Sequence, residues 1–413
     1  MSKPAVYGNN PIVQDLGVCD PHVHIFGDRA YLYAGQDSDP HAPTYAIGNW
    51  VIYSSDDLLH WQRECTLLPT QTYMGDSDRC WATDAAERGG RYYFYFSNGS
   101  DETGVMVSDR PGDGFIDARG GPLLPAGCCP TKPYDPCVFT DDDGASYILV
   151  GTPVWAGGDS YYMARLHDDM VSLAEPLRKV LVDDEADDKP ALHKYGGRYY
   201  LSWASHYAVS DCVYGPYAYL GNTGAANDHG NFFCWRGQWF QSFTIYDPHQ
   251  AHRASGLCYI HYRANGEMVA DDRIIEYGVG QYDAYWNRIE AEWYMAAEGV
   301  DKRERPHAGF EVVGTDGGWI RFPNMHNLPE NAEVSLFARC AAREGGAVEL
   351  HAGTADGPLL GVCPVRYTGP YADWRAYRCF VAPLRNPAGK LDLALVFRGG
   401  PVQLDWFKFY RGR

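Results

Sequence analysis

The sequence holds no stretch of about 18 apolar residues able to span a bilayer and no run of amphipathic periodicity long enough for an extended helix. It also lacks any C-x-x-C pair, so its 12 cysteines, two of them adjacent as Cys128-Cys129, do not form a zinc ribbon or a thioredoxin-like motif. Others fall in apolar segments such as Cys258-Tyr259-Ile260 and Cys379-Phe380-Val381, where a reduced thiol packs as a small hydrophobe. Positive charge is scarce: 35 Lys and Arg face 53 Asp and Glu, a net charge of −18. Nucleic acid and anionic membranes would be repelled over most of such a surface, which leaves a neutral or weakly charged partner. The start, Met1-Ser2-Lys3-Pro4-Ala5, has no apolar leader, and with reduced cysteines this predicts a cytoplasmic protein.

What is abundant is aromatic and glycine: 31 Tyr, 12 Trp and 45 Gly in 413 residues, the mixture of many short strands joined by tight turns. A unit recurs five times. A Gly- or Asp-bearing turn precedes an aromatic strand at Tyr31-Leu32-Tyr33, Tyr92 to Phe96, Tyr147 to Val150, Tyr199 to Trp203 and Trp239 to Phe243. Each is followed by a second strand, as in Val51-Ile52-Tyr53 or Val105-Met106-Val107, and a polar turn. Spacings of roughly 40 to 61 residues suit the four-stranded blades of a five-bladed β-propeller. From about Ile289 the strands lose the blade pattern, and about 125 residues remain, the size of a β-sandwich. The expected division is an all-β propeller over residues 1–287 and a β-sandwich of jelly-roll type over 288–413.

Most acidic residues in such a chain cap turns, but three have a distinctive context. Asp20-Pro21 and Asp135-Pro136 each open an apolar strand, and Asp188 stands two residues before Pro190, which opens another. A propeller brings the first strand of every blade to its axis, so these carboxylates converge there. One carboxylate activating water and another protonating a leaving group is the apparatus of glycosidic-bond hydrolysis, and a third nearby carboxylate raises the pKa of the acid.

These motifs resemble glycoside hydrolase family 43 over most of residues 9 to 285. Asn10-Pro11 with Asp20-Pro21, Asp135-Pro136-Cys137-Val138-Phe139 with Asp142-Asp143-Gly144, Trp81-Ala82-Thr83-Asp84, and His229-Gly230-Asn231-Phe232-Phe233 all match its landmarks. The resemblance implies Asp20 as general base, Asp135 as pKa modulator and Asp188 as general acid, with Trp81, Asp84 and Arg253 binding substrate. It also implies that His229 lies on the axis beside a calcium ion or a water cluster, although by itself it reads as a structural histidine. One departure stands out: the family has Glu where this chain has Asp188, and the nearest Glu is Glu185. Either Asp188 or Glu185 carries the acid, or the hydrolysis is lost.

The C-terminal segment resembles carbohydrate-binding module family 6 through Ile289-Glu290-Ala291-Glu292 and Leu404-Asp405-Trp406-Phe407. Tyr371 and Trp374 are its candidates for stacking on sugar rings; the alternative is that they only fill the fold. The expected function is inverting, exo-acting release of a terminal pentose, of α-L-arabinofuranosidase or β-D-xylosidase type, from small oligosaccharides. The alternatives are action on another furanoside such as a galactofuranoside, or a non-catalytic sugar-binding propeller. A retaining fructosidase is disfavoured, since its W-M-N-D-P and R-D-P signatures are absent.

Overall fold

The computed structural model describes residues 10–39, 41–42, 45–151, 160–183, 186–225, 228–246, 252–305, 309–371, 374–385 and 389–412. Five four-stranded antiparallel sheets form in chain order. Blade 1 comprises Val18–Phe26, Arg29–Asp37, Ile47–Ser55 and Gln62–Leu67; blade 2, Cys80–Arg88, Arg91–Asn98, Glu102–Ser108 and Ile116–Asp117. Blade 3 comprises Cys137–Thr140, Ser146–Val150, Tyr161–Arg165 and Arg178–Val180, and blade 4, Pro190–Tyr195, Arg198–Trp203, His206–Ser210 and Ala218–Asn222. Blade 5 comprises Phe232–Trp235, Gln238–Ile245, Ala254–Tyr262 and Met268–Val269. The five aromatic segments read from the sequence are the second strands of these blades. Alternation explains their composition: large rings such as Tyr33, Phe94, Phe96, Tyr95 and Tyr200 are buried between neighbouring blades, where sheets stack face to face.

The ring is closed by side chains reaching across the seam between blades 5 and 1. Asn231 receives the Val23 amide N–H on Oδ1 (2.9 Å) and donates from Nδ2 to the Val23 carbonyl (2.9 Å), while Ser242 Oγ donates to the Pro21 carbonyl (2.8 Å). Asn10 adds a clasp, donating to the carbonyls of Leu257 and Ile275 and accepting from the Leu257 N–H.

The remaining strands form one ten-stranded sheet folded over on itself: Leu359–Val365 and Arg378–Pro383, at opposite ends of the pairing path, pack together, with the Arg385 N–H donating to the Leu360 carbonyl (2.8 Å). Val334, Leu336, Ile320, Phe322, Leu395 and Phe407 fill its interior, as a β-sandwich requires. This core continues without a break into blades 1, 4 and 5 through Tyr259, Ile260, Tyr282 and Trp293. The second sheet takes its first strand, Tyr282–Asp283, from a few residues before the expected boundary at 288, pairing it with Gly309–Leu328. All cysteines are free, and Cys19, Cys80, Cys137 and Cys258 are buried as expected. Cys128, Cys212, Cys234 and Cys379 are exposed instead, Cys379 because it lies on the outer face of the end strand Arg378–Pro383.

Candidate active site

The innermost strands all run the same way along the axis, so their first residues meet at one mouth and their later residues at the other. At the first mouth a cavity of about 340 Å³ is lined by Asp20, Trp81, Tyr134, Asp135, Asp187, Asp188, Lys189, Asp228, His229 and Arg253, with Tyr45 and Tyr246 at its rim. Five blades therefore contribute to one pocket. The residue immediately before proline is left-handed in three of them, with φ of 54° at Asp20, 53° at Asp135 and 62° at Lys189. Non-glycine residues adopt this conformation at an energetic cost, and it recurs at functional sites. Here it turns the chain sharply into the strand and leaves the carboxylates of Asp20 and Asp135 facing the cavity. In blade 4 that position belongs to Lys189, and the carboxylate sits one residue earlier. Gly230 fixes the fifth contribution: a Cβ there would lie 1.9 Å from the Ser242 carbonyl oxygen, so only glycine lets the His229 backbone approach.

Charges in the pocket are paired closely. Arg253 Nη1 lies 2.7 Å from Asp20 Oδ1 and 3.2 Å from Asp228 Oδ2, and Arg253 Nη2 lies 3.0 Å from Asp37 Oδ1, which is buried behind the cavity wall. His229 bridges three acids, with Nδ1 2.9 Å from Asp228 and 3.2 Å from Asp20, and Nε2 3.2 Å from Asp135. Lys189 Nζ contacts Asp188 Oδ1 at 2.5 Å and Asp187 Oδ2 at 3.0 Å. Tyr134 donates its hydroxyl to Asp188 Oδ2 at 3.0 Å, and the Lys189 N–H donates to Asp135 Oδ2 at 3.2 Å.

The two carboxylates expected to work as base and acid are pushed apart in acidity. Burial disfavours ionisation of Asp20, but Arg253 and His229 outweigh it and hold its pKa below the ordinary carboxylate value. Asp188 moves the other way: burial and then the neighbouring Asp135 raise it to about 6, against the opposing pull of Lys189. His229 is raised well above an ordinary histidine; burial opposes its charge, and Asp20 and Asp135 overcome that opposition. The pocket thus presents an ionised carboxylate, one that keeps its proton up to about pH 6, and an imidazolium.

The structure brings Asp20, Trp81, Asp135, Asp188, His229 and Arg253 together as the sequence predicts. Asp84 is not among them. Three residues beyond Trp81 is about 10 Å further along a strand, and Asp84 accordingly lines a second cavity deeper on the axis instead of the pocket wall. Glu185 lies outside the described residues, as does the side chain of Trp374. Tyr371 is half exposed, with the Arg375 guanidinium 4.7 Å above its ring. Sequence reasoning missed Asp228, Lys189, Asp187, Tyr134 and Asp37. Asp228 and Lys189 adjoin residues already singled out, and adjacency was the available signal; Asp37, reached only through Arg253, offered none.

Residues 8–230 match the family Glycosyl hydrolases family 43, and residues 290–411 match Carbohydrate binding module (family 6). Among curated proteins, an arabinoxylan arabinofuranohydrolase of Paenibacillus polymyxa is 24% identical, covering 97% of this chain and 74% of its own length. A xylosidase/arabinosidase of Bacteroides ovatus is 26% identical over 61% of this chain and 94% of its own. Among solved structures, a family 43 arabinoxylan arabinofuranohydrolase from Bacillus subtilis, in complex with cellotetraose, covers 98% of both chains at a TM-score of 0.57 and 20% identity, a likeness of fold across both domains. A family 43 enzyme from Xanthomonas citri complexed with xylose matches 62% of this chain and 91% of its own at a TM-score of 0.55 and 26% identity.

Proposed function

The chain belongs to glycosyl hydrolases family 43, and from that premise we propose that it hydrolyses the terminal glycosidic bond of a short pentose-bearing oligosaccharide with inversion at the anomeric carbon. The observation that carries the reading is the divergence of acidity in one pocket: Asp20 held low by Arg253 and His229, Asp188 raised to about 6 by burial and Asp135. Environments that separate two carboxylates in this way assign them opposite roles.

In this mechanism Asp20, ionised, takes a proton from a water that attacks the anomeric carbon. Asp188, protonated, gives its proton to the departing glycosidic oxygen. Burial and then Asp135 keep Asp188 protonated, and the Asp135 carboxylate is held by the Lys189 N–H. Arg253 fixes Asp20 in place through Asp37 and Asp228. Trp81 supplies an apolar wall for the sugar ring. The relatives' names, arabinofuranohydrolase and xylosidase/arabinosidase, support a pentose as the released sugar.

The calcium ion expected beside His229 does not fit the residues there. Asp20, Asp228 and His229 offer donor atoms within 4.8 Å of one another, but Arg253 already bridges Asp20 and Asp228, and the surrounding acids hold His229 as an imidazolium, which has no lone pair for a metal. No catalytic step passes through such an ion.

A panel of 4-nitrophenyl furanosides and pyranosides, including arabinofuranoside, xyloside and galactofuranoside, tests the substrate class. Proton NMR of the first-formed sugar anomer tests inversion. Hydrolysis of none of the panel, or retention of configuration, would refute the reading.

A further inference from the structure

Below the catalytic pocket lies the second axial cavity, of about 520 Å³, lined by the later residues of the innermost strands. His22 and His24 belong to it. Two residues apart on the strand Val18–Phe26, they project from the same face, and both turn toward Asp84 on the innermost strand of blade 2. His22 Nδ1 lies 3.1 Å and His24 Nε2 2.5 Å from the same oxygen, Asp84 Oδ1. The Asp84 carboxylate is oriented from behind: its Oδ2 accepts the Val138 N–H at 2.6 Å.

A histidine–aspartate hydrogen bond accounts for His24 but not for His22. His22 is 3% exposed, and its Nδ1 makes no directed hydrogen bond even at 3.1 Å from the carboxylate. A buried imidazole nitrogen without a partner is costly, and here it is aimed at the same point as two other donors. The three donor atoms lie within 4.8 Å of one another. Bonds of about 2.0–2.1 Å to a tetrahedral ion place donors roughly 3.3 Å apart, close to the His22–Asp84 separation, whereas the half-buried His24, 2.5 Å from Asp84, must move outward by roughly 0.8 Å to share the ion.

We propose that His22, His24 and Asp84 bind a divalent transition metal of the zinc type on the propeller axis, with a fourth position open to the cavity. Two imidazoles and one carboxylate suit zinc and its neighbours, whereas calcium and magnesium require shells of oxygen. The ion joins the innermost strands of blades 1 and 2 at the end of the axis away from the catalytic carboxylates. It is separate from the His229 cluster, whose acids are already paired with Arg253 and with His229 itself.

The test uses the full chain, stripped with a chelator and titrated with zinc chloride by calorimetry and with cobalt chloride by visible absorption. One zinc per chain is expected, with a rise in Tm, cobalt bands of tetrahedral type, and no competition from millimolar calcium. His24→Gln, at a half-buried position that tolerates change, should weaken zinc binding by at least about a hundredfold while leaving far-UV circular dichroism unaltered. His22→Gln should do the same, and His229→Gln should retain the zinc. Absence of stoichiometric zinc uptake in the parent, undiminished uptake in His24→Gln, or loss of zinc in His229→Gln would each overturn the assignment.

Discussion

Replacing Lys189 with Met should carry the activity of this enzyme to higher pH. Lys189 Nζ lies 2.5 Å from Asp188 Oδ1, and both side chains are about nine-tenths buried, so the pair is screened less than a surface ion pair and more than one in a dry interior. Unit charges about 4 Å apart interact by about 1 kcal/mol in water and about 4 kcal/mol at an effective dielectric of 20. At 1.36 kcal/mol per pKa unit, losing the ammonium raises the Asp188 carboxyl by about one to three units from its value of about 6. The sign follows from its role: a general acid must be protonated, so activity falls as pH rises through its pKa, and raising that pKa moves the alkaline limb upward. The assay is kcat/KM against pH from 4 to 9 on a 4-nitrophenyl pentoside, with Tm recorded to confirm folding. Methionine keeps the unbranched stem of the side chain as far as Cε, so most of the cavity wall is preserved while the charge is lost. An alkaline limb that stays in place or moves down would refute both the pairing as the control on acidity and Asp188 as the acid.

Asp20→Asn and Asp135→Asn should each reduce kcat by about 10²–10⁴-fold while leaving Tm close to the parent's, as circular dichroism melts would verify. Asp188→Asn should be nearly inactive on oligosaccharides yet keep measurable activity on a dinitrophenyl glycoside, whose leaving group departs without a proton; the same pattern in Glu185→Gln would move the acid there. A chain ending at Tyr285 should lose soluble expression, because Tyr259, Ile260 and Tyr282 share one apolar core with the second sheet; a soluble, active propeller would show that the shared core is dispensable.

Much of this fold is legible in the sequence because a propeller repeats itself: alternation within each aromatic strand and recurrence of the unit carry the same information five times. The two Asp-Pro pairs were legible for a local reason, since each opens an apolar strand; their left-handed backbone was not, because the residue before proline ordinarily stays extended. Depth along the axis was not. Asp84 and Trp81 belong to one four-residue motif, yet the strand carries them into different cavities, and Asp20 parts from His22 and His24 in the same way. Nor could the sequence reveal Asp37 or Asp228 as partners of Arg253, because those contacts join strands more than 200 residues apart or loops that meet only when the ring closes.

Lys189 shows how such a residue comes to stand in an unfavourable place. The left-handed conformation costs a non-glycine residue roughly 1–2 kcal/mol, and in the equivalent places of blades 1 and 3 the short side chain of Asp accommodates it. Lysine has no such local compensation. Its compensation is tertiary: Asp20, Asp135, Asp187, Asp188 and Asp228 line one pocket with Asp37 behind it, against which Arg253 and His229 supply only two positive charges. An ammonium within 4.0 Å of Asp187, Asp188 and Asp228 supplies a third. With Lys189 in place the pocket still carries more acid than base, and burial, together with that excess felt through Asp135, holds the Asp188 pKa at about 6 while Arg253 holds Asp20 low. The balance between too few cations for all the carboxylates and enough for one of them, acting with burial, is what separates the acidities of Asp20 and Asp188.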